Sequence, residues 1–213
     1  MPSDIDDTYY PVARGNTWVY RTDYGAGSLG VVTDTETMTA VQPVAGGNQV
    51  TIKRVFHYAS GQHPDFTSTV VYVFHSDGSL TVPYQSGIDT ANSKITVRRG
   101  SIVWPTPARL RSGAVSTGTV EVTVQTASLT RNATVKVQLQ GKGAAAVSVP
   151  AGAYPKAQIL NETLTETLEG LPATIVITSQ AYLVAGVGPV KTVVTSGAGT
   201  APIQSVLVSF KKG

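Results

Sequence analysis

His57, His63, Asp65, His75 and Asp77 fall within one short stretch of the chain. Imidazole and carboxylate together are the ligands that zinc and similar divalent ions accept. His75 and Asp77 stand two residues apart and share a face if the strand continues through them. His57 lies on the preceding strand, with "ASGQHPDFT" looping between. His57, His63, His75 and Asp77 are therefore the candidate metal ligands. Asp77-Gly78 is equally a common turn pair and His63-Pro64 a plain loop, so the spacing does not specify an ion and no cofactor is expected. Other chemistry has less to build on. There is no cysteine and no G-x-S-x-G elbow, which leaves a nucleophilic triad without members. Glu162 and Glu166 in "NETLTETLEG" share strand parity, but four residues along a strand separate their α-carbons by about 13 Å, beyond the carboxylate spacing of glycosidases. They are expected to be solvated charges on a strand face. "DIDD" at 4–7 lacks the glycine and distal glutamate of a calcium loop. Arg98, Arg99, Arg109 and Arg111 surround Trp104, yet the formal net charge is only +3, so a local patch on a solvated loop is expected and no nucleic-acid partner. No catalytic residues emerge, and the chain is read as a non-enzyme.

The elements that must carry these residues are strands. Charged residues make up 14% of the chain, while Thr, Val, Ser, Gly and Ala dominate and the usual helix builders are scarce. The absence of cysteine excludes disulfides and thiolate metal sites. No run of about 18 apolar residues is present, so no transmembrane segment is expected. Residues 1–8 read as a flexible polar tether of the kind that follows a removed export signal. Two-residue alternation recurs: Val120, Val122 and Val124 oppose Glu121, Thr123 and Gln125, and Val135, Val137 and Leu139 oppose Thr134, Lys136 and Gln138. Glycine-bearing turn signals at 45–48, 76–79, 141–143, 169–172 and 186–189 divide the chain into roughly a dozen strands. A short helical turn is expected around 105–112, where prolines forbid a long helix. The pattern predicts a single all-β domain over residues 9–213, a strongly curved antiparallel sheet or open half-barrel, with a two-sheet sandwich as the alternative.

"VPAGAY" at 149–154 places Pro150, which cannot donate to a ladder, beside Ala151-Gly152, so a sharp corner between two strands is expected. Together with "YYPVARGNTWVYR" at 9–21 and "YLVAGVGPVK" at 182–191, it resembles a family of exported bacterial proteins, often lipoproteins, of unassigned function. Leu183 stands where an aromatic is common in that family, Pro189 precedes Val190-Lys191, and the lipid-bearing cysteine is missing. The resemblance implies a curved antiparallel sheet similar to the half-barrel of periplasmic lipoprotein carriers, located outside the cytoplasm in the periplasm, at the cell surface or secreted. Trp18 and Tyr20 share a face, and rings of that size anchor a sheet core; with Tyr72 and Tyr182 they are also the candidate ligand-binding residues. The expected function is a non-enzymatic cell-envelope module whose concave face binds a lipid or other hydrophobic small molecule. The alternative is a structural or interaction domain with an envelope protein partner, working through its sheet edges.

Overall fold

The computed structural model describes residues 9–25, 29–61, 63–84, 93–126, 128–170, 174–196 and 201–213. The tether expected at 1–8 lies outside the described residues. The strands are β1 (Thr17–Asp23), β2 (Val31–Val44), β3 (Gly47–Tyr58), β4 (Phe66–His75), β5 (Leu80–Val82), β6 (Ser93–Arg99), β7 (Ile102–Trp104), β8 (Val115–Thr126), β9 (Thr130–Val149), β10 (Gly152–Leu168), β11 (Thr174–Val184), β12 (Gly188–Ser196) and β13 (Ile203–Lys211), with one helix, α1 (Pro107–Ser112). All described strands belong to one open antiparallel sheet in the order β6-β8-β9-β10-β11-β12-β13-β1-β2-β3-β4-β5-β7. The curved single sheet is thus the architecture formed, and the sandwich is not.

The curvature follows from how the two ends of that order meet. β6 pairs with β8 and β7 pairs with β5, yet β6 and β7 are successive pieces of chain joined by Gly100 and Ser101. Gly100 has φ +82, and a Cβ there would lie 2.1 Å from the Thr119 carbonyl oxygen of β8. Only glycine lets the chain pass so close while switching ends. The sheet therefore bends round until its ends touch without a ladder between them, and one face becomes an interior.

That interior is filled at one end by the chain itself. Trp18, Met38, Val50, Ile52, Leu80, Leu139, Leu160, Leu183 and Leu207 are buried there. Trp18 is held between the ring of Phe210, stacked at 5.2 Å, and that of Tyr10, edge-on at 5.3 Å. The helix expected near 105–112 is α1. Thr106 accepts from the Arg109 amide at 3.3 Å, Pro107 opens it and Gly113 ends it in the left-handed conformation. Its one large apolar side chain, Leu110, is buried.

The corner at 149–152 forms as expected, but the turn expected at 141–143 does not. β9 runs on through Gly141 and Gly143, and its ladder with β10 slips there, with Gly141 facing Leu160 and Ala144 facing Gln158. An irregularity of this kind bends a hairpin instead of ending it. The bent hairpin brings its tip over the interior, where the Ala151 amide donates to the Leu207 carbonyl of β13 at 3.1 Å. Gly141 serves the same closure, because a Cβ there would come within 1.7 Å of the Leu110 carbonyl oxygen. Substituting Gly141→Ala should push α1 off the sheet and cost about 1–3 kcal/mol, the usual penalty of overpacking. Chemical denaturation of G141A beside Gly143→Ala, where no atom lies within 4 Å, checks it; a larger loss at 143 would contradict this account of the plug.

Candidate functional site

Away from the plugged end, the interior parity of several strands turns polar. On β2, Val32, Asp34, Glu36 and Met38 are all buried and all point inward. Glu36 is only 5% exposed and lies opposite Arg54 of β3 on one side and Trp18 of β1 on the other. Arg54 donates through Nε to Asp34 Oδ2 at 3.0 Å and reaches Glu36 Oε1 at 3.1 Å, while its guanidinium lies 4.7 Å over the Phe56 ring. One arginine thus serves two carboxyls, which also hydrogen-bond to each other.

The electrostatics follow from burial. Loss of solvent is the largest influence on Glu36; Arg54 opposes it and the Asp34 charge adds to it, and the carboxyl is pushed up to about 7. Asp34 is raised for the same first reason, with Arg54 and a hydrogen bond from Glu36 pulling the other way. Burial disfavours the charge on Arg54, but Glu36 and Asp34 outweigh it and hold the guanidinium protonated beyond its usual range. Tyr10, Tyr20 and Tyr72 ring the cluster, and burial first, then the Glu36 charge, pushes all three phenols up. Two carboxyls and one cation in a dry place amount to a shared proton near neutrality.

A second acidic group lies on β10. Glu162 and Glu166 were expected on a wetted face, and this is corrected: both share the parity of buried Leu160 and face Leu139 and Val135 of β9. Glu166 is 3% exposed and its Oε1 has no hydrogen-bond partner. Its Oε2 is approached by the Tyr84 hydroxyl at 3.5 Å, just beyond β5, near the other end of the sheet order. The Ser179 hydroxyl of β11 donates to Glu162 Oε2 at 3.1 Å. Burial raises both carboxyls, with those hydroxyls lowering them in part.

The residues singled out by type are placed differently. Trp18 and Tyr20 are core: the Trp18 indole donates to the Val187 carbonyl at 2.6 Å and the Tyr20 hydroxyl to that of Pro189 at 3.0 Å. Tyr72 sits inward with its ring 5.8 Å from that of Tyr10. Tyr182 alternates with buried Ala181 and Leu183 and so faces outward, near Lys191. The four rings do not form one site. Nor does the topology gather the metal candidates. His75 pairs with Gly47 at one end of β3, whereas His57 is near the other end, about 33 Å away at strand rise. His57 pairs with Asp65 at 3.0 Å on the surface, the His63 ring lies against Tyr58, and His75 meets the Thr81 hydroxyl at 2.7 Å. Asp77 accepts from the Ser79 side chain and amide, which hold it below the usual range. Among the described residues no three His, Asp or Glu side chains form a group that could hold a metal ion. Asp34, Glu36 and Arg54 went unnoticed in the sequence, although "VVTDTETM" carried the signal: two acids on the same alternating positions as Val32 and Met38.

Two open clefts lie around the β8–β9 and β10–β11 hairpin ends. One of about 330 Å³ is lined by Leu129, Thr130, Arg131, Asn132 and Glu169; one of about 420 Å³ is lined by Arg98, Glu121, Asn132, Ala133, Thr134, Thr167 and Glu169. Their walls are mainly polar and hold none of the inward acids.

No protein-family model and no curated protein matches the sequence. Among solved structures, the chain is similar to a "putative lipoprotein" from Parabacteroides distasonis, with a TM-score of 0.71 and 13% identity over 98% of this chain and 100% of that one. It is also similar to a "putative exported protein with YmcC-like fold" from Bacteroides fragilis, with a TM-score of 0.64 and 16% identity over 96% of this chain and 99% of that one. At such identities the likeness is one of fold, and the fold is the curved antiparallel sheet that the motif resemblance implied. No helix among the described residues is long and apolar enough to cross a membrane.

Because the folded Glu36 holds its proton to about pH 7 while the unfolded carboxyl releases it near its ordinary 4.5, the unfolded state binds fewer protons in that window. Stability therefore falls as pH rises from about 5 to about 8. Glu162 and Glu166 act in the same direction. Glu36→Gln should remove the largest share, flattening the fall by on the order of 2–3 kcal/mol. Denaturant titrations at the two pH values measure it; an unchanged slope would contradict the shared-proton reading.

Proposed function

We propose that this chain is a non-enzymatic module of the bacterial cell envelope, outside the cytoplasm, whose inward sheet face accepts a small amphiphilic guest. The observation that carries the reading is the division of that face, apolar at the plugged end and hydrogen-bonding beyond it, with the enclosed Glu166 Oε1 left without a hydrogen-bond partner. A folded protein rarely leaves such an atom unmet, and a guest with a polar head and an apolar body would meet it. The likeness to proteins named as lipoprotein and exported supports the location.

Native mass spectrometry of the protein purified from its own host should show one adduct of lipid-like mass that departs on unfolding. A bare mass, together with no calorimetric binding of dodecyl maltoside, would overturn the proposal.

A second reading rests on β4. Among its described residues, Phe66–Tyr72 have no ladder partner on the side away from β3, since β5 meets only Val73 and Phe74. "FTSTVVY" carries no charge, and Phe66 and Val71 are exposed, whereas β6 is protected by Lys94, Arg98 and Arg99. A partner strand added there would make the chain an interaction domain. Sedimentation equilibrium of wild type and Thr69→Lys tests the homotypic form: a dimer lost in the variant favours it, and a monomer at all concentrations counts against it.

A further inference from the structure

We infer that the inward wall formed by β10 and β11 is a binding site for an organic cation with an apolar body, an alkylammonium compound, with Glu162 and Glu166 as its anionic partners. The inference deepens the guest-binding proposal and rests on it.

Charge sets these two acids apart. Among the described ion pairs, the inward acids of β2 have Arg54, but neither Glu162 nor Glu166 has a lysine, arginine or histidine within ion-pair distance. Among the described residues, the side-chain hydrogen bonds they accept come from hydroxyls, those of Ser179 and Tyr84. Glu166 is buried and Glu162 half-buried, and a carboxylate so placed with a single hydroxyl for support is an expensive feature for a sheet that needs only apolar contact on that face. Leucine at either position would serve packing alone.

One acceptor on this wall is unmet. Glu166 Oε1 is enclosed and has no donor, although the Tyr84 hydroxyl sits at the other oxygen. Tyr84 therefore steadies the carboxyl with one oxygen left for another donor. An ammonium group offers what is missing, a donor that also carries the opposite charge.

The surface between and beside the acids is apolar. Leu164 separates them on β10, with Val137 of β9 and Ile177 of β11 directly across from it. A ligand reaching either carboxyl must lay its body over this apolar strip, so a bare metal ion or a fully polar cation would leave half of the site unused. Two carboxylates four strand residues apart would also suit a body with a second cationic end, but one head on one acid satisfies the geometry.

The test is isothermal titration of the intact chain with three probes that share a twelve-carbon tail, each below its micelle concentration: dodecyltrimethylammonium, dodecyl maltoside and dodecyl sulfate. Near-ultraviolet circular dichroism verifies that the fold persists. The cation should bind at least about tenfold more tightly than the neutral probe, one order in affinity being about 1.4 kcal/mol, and the sulfate should bind least. Glu166→Gln and Glu162→Gln should each reduce that preference several-fold while neutral binding stays as it was; should one variant fail to fold, the other still decides. Equal binding of cationic and neutral probes, or a preference unaffected by the variants, overturns this inference and leaves the guest-binding proposal standing. If none of the three binds, both fall.

Discussion

Side chains on a strand alternate, and a sheet bent until its ends touch gives the two parities opposite fates: one meets water, the other an enclosed space. Most other features of this chain follow from that constraint. Val120, Val135, Leu139 and Leu160 are buried because of their parity, and Asp34, Glu36, Glu162 and Glu166 are drawn inward by the same rule, whatever their charge would prefer. Once inside, a carboxyl loses its hydration, and its affinity for a proton rises unless a cation stands beside it. Arg54 stands beside two of the four.

Closure explains the parts that looked irregular. The slip at Gly141–Gly143 bends the longest hairpin so that its corner crosses the interior and bonds to β13, while α1 and the rings of Tyr9, Tyr10 and Trp18 occupy the same end. Dense packing there is where the apolar burial energy concentrates. The polar remainder of the inward face is costly to desolvate.

The fold was legible because its signals are local and repeated. Period-two alternation, glycine turns and scarce helix formers needed no tertiary knowledge, and the prolines around 105–112 marked the place and shortness of the one described helix. The turn expected at 141–143 failed because glycine serves a bulge and a close approach as readily as a reversal. Sites were less legible because they depend on which strands become neighbours. The histidines cluster in sequence, yet the antiparallel β3–β4 hairpin sends His57 and His75 to opposite ends. Glu162 and Glu166 alternate correctly, but nothing short of the strand's place in the sheet says which parity is enclosed, and the preference of charge for water pointed the wrong way. Asp34 and Glu36 were readable from their shared parity with Val32 and Met38, an acid pattern on an apolar stripe that merits notice in any strand.

The central claim is that the acids of β2 and β10 are sequestered on the inner face of one curved sheet. Carboxyl-carbon chemical shifts of glutamate, followed by NMR from about pH 3 to about pH 9, test it most directly. The expected result is a titration of Glu36 near 7 and of Glu162 and Glu166 above the ordinary carboxylate range. Glutamates that all titrate together near 4.5 would contradict it.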